Sequence, residues 1–401
     1  MAWKIDNVFY HNLPNARDVA FDGRDLWAVS TTRIDVLGYW AIESNYEGVY
    51  AGTFPDIFNT LNDEEEKPIF FLYETITPTL NSGEFLSQVI KFYDKMYVTV
   101  AVDFDTPAVP ITVDRDRLVA FLVYDIATRS FVKRINVTVN NARANIGYQR
   151  DRIWFLDMAQ KDDGSPDTQK LYFFNLLTET FSSGVTVPGR KQFASRRIVN
   201  SGQNNVIVTA QNDNAIIKFN DTTGAYVGTY IVNRDPTGFH IRGNANTEIL
   251  IGSSDGMLSV FNFTTNVVTH EDYATTDLPL DIADDGSYVW AITPILTRTK
   301  KTDATDNFRY LASENKDYTI DTSNFIQTSF RRLIITPTVT YDYWNGSSIA
   351  TRTVRPYVIV VSTSYIQGFR TQAIYRENVI RINCNAMIGT GPEKYYGETY
   401  E

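Results

Sequence analysis

Apolar and polar positions alternate along most of the chain, and between residues 125 and 268 the alternation is organised into a unit that recurs four times. An apolar stretch (Phe121 to Tyr124, Leu171 to Phe174, Ile216 to Phe219, Leu258 to Phe261) runs into Asp or Asn, two residues, Thr, two residues and a large apolar residue. The four copies read Asp125-Ile-Ala-Thr128-Arg-Ser-Phe131, Asn175-Leu-Leu-Thr178-Glu-Thr-Phe181, Asn220-Asp-Thr-Thr223-Gly-Ala-Tyr226 and Asn262-Phe-Thr-Thr265-Asn-Val-Val268. Each predicts a strand, a short turn and a returning strand. Asp or Asn can bond its own downstream backbone at the turn, and Thr favours re-entry into extended structure. The copies step by 50, 45 and 42 residues, a period typical of repeat architectures.

A second pattern joins the two ends of the chain. Val19-Ala-Phe-Asp22-Gly23-Arg-Asp-Leu-Trp27-Ala-Val29 returns as Ile282-Ala-Asp-Asp285-Gly286-Ser-Tyr-Val-Trp290-Ala-Ile292. Asp-Gly followed by an apolar, Trp-bearing run is a hairpin signal. Strand patterns continue through Arg332 to Thr340, Arg355 to Thr363, Gln367 to Tyr375 and Val379 to Asn383, with a hairpin turn predicted at Asn345-Gly346. No stretch of twelve or more residues has helical periodicity. The pattern therefore predicts an all-β fold, a single β-propeller of about seven four-stranded blades. The isolated strand at residues 7–11 is expected to close the last blade from outside; two β-sandwiches are the competing arrangement. Gly48 to Phe54 is expected to finish the first sheet. Residues 55–83, 103–116 and 297–328 read as loop excursions from a body spanning 1–388, and 389–401 as an extended arm.

Composition narrows the chemistry. The chain has 401 residues, 24 Tyr, 24 Phe and a net charge of −10. No basic block suggests a nucleic-acid groove. There is no basic-then-apolar leader at Met1, and no window approaches a membrane span, so synthesis in a host cytoplasm is expected. The single cysteine, Cys384, excludes an intrachain disulfide framework and reads as a small buried hydrophobe. Of the three histidines, His240 falls on an expected innermost strand and His270 on a solvent-facing one. Neither Cys/His zinc spacing nor a phosphate-cradling Gly-rich loop is found. Asp103, Asp105, Asp114 and Asp116 alternate as calcium ligands can, although Pro107 and Pro110 intervene; calcium is the one cofactor candidate. Asp22, Asp94, Asp151, Asp281 and Asp285 could supply the paired carboxylates of a glycosidase, but Asp at such turns is ordinarily a turn former.

The strand-turn-strand units resemble the outer hairpins of the β-propeller superfamily of the YVTN and NHL kind, with their Asp-x-x-Thr-Gly turn. Asn220 to Gly224 matches it best and the other three lack the Gly. The WD40 and kelch signatures are missing. The resemblance covers residues 85–275 and implies a fold, not a function. An acidic, Asn-, Thr- and Tyr-rich, nearly Cys-free chain also resembles the structural proteins of bacteriophage particles. That resemblance implies a non-enzymatic virion protein, a tail or surface component in a multi-copy assembly with other virion structural proteins, or contacting a host glycan or protein. A propeller-fold glycan hydrolase or glycan-binding protein, and a cellular protein-interaction scaffold, are the alternatives. Aromatic segments suit interfaces, and Tyr341, Tyr343, Trp344, Tyr395 and Tyr396 are the candidate contact residues.

Overall fold

A computed structural model describes residues 7–39, 70–103, 116–157, 169–188, 198–274, 281–310, 330–370 and 379–382, apart from short gaps within these ranges. Among the described residues the fold is all-β, with several sheets and no α-helix. The first sheet has the order β2 (Ala16–Phe21), β3 (Leu26–Ser30), β4 (Ile34–Tyr39), β5 (Phe70–Ile76). A nine-stranded sheet follows. In it β10 (Ala142–Gln149) meets β8 (Asp116–Asp125) through one residue pair, Arg143 with Arg117. That single contact divides it into a second unit, completed by β6 (Glu84–Phe92), β7 (Lys95–Asp103) and β9 (Phe131–Asn136), and a third. The third unit adds β11 (Arg152–Asp157), β12 (Lys170–Asn175) and an outer strand in two pieces, β13 (Thr180–Phe181) and β14 (Val185–Thr186).

Next come β15 (Ile198–Asn200) to β18 (Tyr226–Ile231), with β16 (Asn205–Ala210) and β17 (Ala215–Asn220) between them. The fifth sheet is β19 (Pro236–Arg242), β20 (Glu248–Ser253), β21 (Met257–Asn262) and β22 (Val267–Ala274). The sixth is β23 (Asp281–Asp284), β24 (Tyr288–Ile292), β25 (Leu296–Lys300) and β26 (Asp303–Tyr310). The seventh sheet joins the two ends of the chain. β27 (Phe330–Ile335), β30 (Tyr357–Ser362) and β31 (Tyr365–Arg370) are completed by β1 (Asn7–Asn12), which pairs antiparallel with β31. Between β27 and β30 the chain forms β28 (Thr338–Trp344) and β29 (Ile349–Val354), and β32 (Val379–Ile382) adds to β28 in parallel.

The core lies between neighbouring sheets. Trp27, Val29 and Val36 pack on Val89, Val98 and Leu122. Phe121 and Val123 then pack on Ile153, Phe155 and Phe174, and Trp154 and Leu156 on Val208, Ile217 and Phe219. Ile207 and Ile216 meet Ile251 and Phe261, and Leu250 and Val260 meet Ile282 and Val289. A strand covered on both faces need not alternate, which is why Leu26-Trp-Ala-Val-Ser30 and Tyr288-Val-Trp-Ala-Ile292 are buried throughout. First strands also touch in sequence: β2 with β6, β6 with β10, β10 with β15, β19 with β23, β23 with β27, and β27 with β2. The junction of the fourth and fifth sheets is made by β16 and β19.

The repeated turn has one geometry in all four copies. The leading carboxylate or amide oxygen accepts the N–H of the Thr: Asp125 from Thr128 at 2.9 Å, Asn175 from Thr178 at 2.9 Å, Asn220 from Thr223 at 2.8 Å, Asn262 from Thr265 at 2.9 Å. The residue after the Thr is left-handed in each, with φ of 55° at Arg129, 56° at Glu179, 71° at Gly224 and 58° at Asn266. Only Gly adopts that conformation without cost. The three non-Gly copies therefore share the turn but not the Gly.

Two boundaries differ from expectation. The fourth strand of the first sheet is Phe70–Ile76, inside the stretch 55–83 read as an excursion. Residues 48–54 lie outside the described residues. The sequence between β4 and β5 is too long for hairpin spacing, so the pairing left no local signal. Likewise β26 and most of β25 fall within 297–328. Their polar, Thr-rich sequence suits strands toward the outside of a sheet, where one face meets water.

Candidate functional site

Three of the first strands carry a polar residue that reaches the backbone of the following sheet. Asp18 on β2 accepts the Val89 N–H through Oδ2 at 3.1 Å. Gln88 on β6 accepts the Ile146 N–H at 2.7 Å, and Asp281 on β23 accepts the Leu333 N–H at 3.0 Å. Asp18 and Asp281 occupy the same register: their strand partners Val29 and Ile292 each lie two residues beyond the hairpin Trp. In the seventh sheet the equivalent position, opposite Val361, is Arg332. Its Nε lies 3.3 Å from Asp18 Oδ1. The first, sixth and seventh sheets thus converge on a carboxylate–guanidinium–carboxylate cluster.

Electrostatics follow from that placement. Burial pushes the Asp18 carboxyl above its ordinary value, and neighbouring Asp281 adds to the effect. Arg332 and the Val89 and Val19 N–H groups act in the opposite sense without overcoming it. Asp18 in turn strengthens the hold of Arg332 on its proton. The cluster clasps sheet to sheet: its carboxylates receive backbone N–H groups and a guanidinium from neighbouring strands.

A second clasp sits four residues downstream in the first and sixth sheets. Asp22 accepts the Asp25 N–H at 2.6 Å and the Trp27 indole N–H at 2.7 Å. Asp285 accepts the Tyr288 N–H at 2.7 Å and the Trp290 indole N–H at 2.8 Å. Both carboxylates are buried, with each oxygen engaged. Trp154, the counterpart in the third sheet, follows a shorter hairpin in which Gln149 pairs with Arg152. Its indole N–H is buried without a partner.

The repeated turns are tied to the preceding sheet by charged side chains. Arg129 bonds Asp25 at 2.5 Å and stacks over Tyr73. Lys133 donates to Glu179, and Arg152 to the carbonyls of Asp221 and Thr222. Lys218 donates to the Phe263 carbonyl at 3.0 Å and to Asn266 at 2.7 Å. Burial lowers the pKa of the Lys218 ammonium.

The residues singled out from sequence are dispersed. Asp103 and Asp116 stand opposite each other on β7 and β8. Asp116 is paired with Arg17 at 3.3 Å, which opposes cation binding there; Asp105 and Asp114 lie outside the described residues. Among the described residues no three His, Cys, Asp or Glu gather as a metal site would require. Asp94 is exposed beside Lys95, and Asp151 accepts from Asn175 at 3.1 Å. His240 is on β19, a first strand, and His270 is exposed. Tyr341, Tyr343 and Trp344 belong to β28, paired with Arg352, Ala350 and Ile349 of β29. Tyr395, Tyr396 and Cys384 lie outside the described residues.

Gly252-Ser253-Ser254-Asp255-Gly256 spells the Gly-x-Ser-x-Gly of a nucleophile elbow. That elbow needs a strand running into a helix. Here the segment joins β20 to β21 in a hairpin, so the letters occur without the geometry. The Asp18–Asp281–Arg332 cluster was the grouping that sequence reasoning missed. Its signal was present: both Asp-Gly…Trp motifs have another Asp four residues before the first. No protein-family model matches the chain, and no curated protein matches it.

Proposed function

We propose that the chain forms a single seven-bladed β-propeller that serves as a non-enzymatic assembly or binding component of a virus particle. The cyclic order of contacts between neighbouring sheets and the completion of the seventh sheet by β1 support closure of the ring. Closure of that kind protects sheet edges that an open array exposes. The conspicuous inner carboxylates act as clasps, which favours a scaffold over a reaction centre.

The observation that carries the binding role is the three-stranded sheet of β28, β29 and β32. It is a separate sheet, drawn from the chain between β27 and β30 and from a strand near residue 380, and β28 bears Tyr341, Tyr343 and Trp344. Function is commonly carried by such elements on a rigid scaffold. The particle assignment draws on the acidic, Tyr- and Asn-rich composition. Light scattering of the purified protein, with mass spectrometry of particles from the source culture, tests it. A fixed copy number per particle is expected, and replacing Tyr341, Tyr343 and Trp344 by Ala should block incorporation while the fold persists. A chain absent from particles overturns the assignment.

A further inference from the structure

The first and seventh sheets meet where the two ends of the chain come together, and their junction is fastened at two places. Toward the outside, His11 on β1 bonds the buried carboxylate of Asp35 at 2.8 Å. Arg33 at 3.0 Å and Thr75 at 2.9 Å hold the same carboxylate. Burial alone would raise the Asp35 carboxyl, but His11, Thr75 and Arg33 outweigh it and hold it below its ordinary value, so it stays charged. Toward the inside, β27 touches β2 and Arg332 faces Asp18.

The inner fastening is built differently. Asp18 and Asp281 are both buried, and the negative charge of Asp281 acts on Asp18. Neighbouring carboxylates in a poorly solvated site resist ionising together. Hydrogen bonding decides which of them can hold a proton. Asp281 accepts through both oxygens, from the Ile282 N–H at 3.2 Å on Oδ1 and from the Leu333 N–H at 3.0 Å on Oδ2. Asp18 accepts the Val89 N–H through Oδ2. Its Oδ1 is buried and accepts no hydrogen bond, because Arg332 Nε at 3.3 Å approaches without forming one. A buried carboxylate oxygen without a donor favours the neutral form. The Arg332 side chain is 43% exposed, so the cluster exchanges protons with water beside it.

We propose that Asp18 is a proton-operated latch between the first and seventh sheets: it holds a proton on Oδ1 while they are packed together, and its ionisation loosens them. The groups that act on it are Arg332 on β27, Asp281 on β23, and the N–H groups of Val89 and Val19. Burial raises its carboxyl most and Asp281 adds to the rise, while Arg332 and the two N–H groups oppose it. A carboxyl raised in the folded state contributes stability that is complete below its unfolded value of 3.8 and fades as pH climbs through the folded value. Rising pH is therefore the signal that loosens the junction. Asp35 is shifted in the opposite direction, so the response belongs to the inner edge. Such a latch needs only the contact of these two sheets and stands whether or not the protein belongs to a particle.

Two measurements on the full chain test it. Carboxyl 13C resonances of aspartate-labelled protein report the Asp18 titration, the resonance being assigned by its loss in Asp18→Asn. Maleimide labelling of Val361→Cys in a Cys384→Ser background reports opening of the junction. Val361 is buried and paired with Arg332, so it shares the face turned to the first sheet. Val208→Cys, equally buried on the second strand of the fourth sheet, is the control. Rates are divided by those of the unfolded chain at the same pH. Val361→Cys labelling should then step up across the Asp18 titration, by about tenfold for each unit by which that titration lies above its unfolded position. Val208→Cys should show no step, and Asp18→Asn should abolish the step at Val361→Cys. If Asp18→Asn folds poorly by circular dichroism, Asp281→Asn, which removes the neighbouring like charge, should move the Asp18 resonance and the labelling step together toward acid. An Asp18 carboxyl that titrates at or below 3.8 overturns the proposal. So does labelling of Val361→Cys that ignores the Asp18 titration, that Val208→Cys matches, or that keeps its step in Asp18→Asn.

Discussion

Three tryptophans occupy corresponding positions on second strands, and only two of their indole N–H groups are bonded. Trp27, Trp154 and Trp290 are 0%, 1% and 1% exposed. Trp27 and Trp290 donate to carboxylates at 2.7 and 2.8 Å, whereas Trp154 has no acceptor. Trp→Phe at each site removes a similar volume from a similar core, so the packing loss largely cancels between sites. What differs is the hydrogen bond. Losing a bond to a charged acceptor costs about 1.5–3 kcal/mol, while deleting an unpaired buried donor recovers about 1–3 kcal/mol. Trp27→Phe and Trp290→Phe should therefore be more destabilising than Trp154→Phe by about 3 kcal/mol, the low end of that combined range. With an unfolding entropy of about 2.1 cal/mol/K per residue, this is roughly 4 °C in Tm if the chain melts as one unit. Urea unfolding followed by far-ultraviolet circular dichroism measures it. Asp285→Asn, which turns an amide N–H₂ toward one of its two donors, should cost about 2 kcal/mol. Equal losses at the three tryptophans, or an Asp285→Asn chain as stable as wild type, would refute the clasp.

Other outcomes follow from the same geometry. Glu179→Gly should be neutral or stabilising, because relief of a left-handed φ is worth about 1–2 kcal/mol and an exposed pair such as Lys133–Glu179 only about 0–1 kcal/mol. Arg129→Gly relieves the same strain but removes the buried ion pair with Asp25, a loss of about 3–5 kcal/mol; chemical denaturation should show opposite signs at the two equivalent positions. Burial raises the Glu84 carboxyl, but the Arg134 fork at 2.6 and 3.0 Å and Asn81 outweigh it and hold it down at about 2. A carboxyl so depressed stabilises above its unfolded value of 4.5 and loses that contribution as pH falls toward about 2. Glu84→Gln should flatten stability across that window in acid titrations. Asp18 has the opposite sign. Its raised pKa makes the folded state the better proton binder, so its ionisation costs stability as pH rises above 3.8. Asp18→Asn keeps an acceptor for the Val89 N–H and should gain stability at neutral pH, a gain that vanishes near pH 4; a net loss at pH 7 would contradict this.

Local chemistry was legible in the sequence where a residue's role is set by its own neighbours. Asp125, Asn175, Asn220 and Asn262 do at their turns what short polar side chains do in any chain, and the Asp-Gly…Trp echo marks two hairpins of the same build. The left-handed residue was not legible, because Arg129, Glu179 and Asn266 accept a conformation that Gly224 adopts freely, and all three of those side chains then hold a neighbouring sheet. Register across long separations was also hidden. β5 joins β4 over a connection too long for a hairpin, and β32 joins β28 in parallel, a pairing that no local pattern encodes. The Asp18–Asp281–Arg332 cluster draws its members from three sheets. Only the two Asp share a visible motif, and Arg332 acquires its place from register alone.

Electron microscopy of the purified protein tests the closed ring most directly. The expected image is a single disc with seven radial densities, with the sheet of β28, β29 and β32 as a further density. Two separate lobes, or an open arc in which β1 lies away from β31, would contradict it.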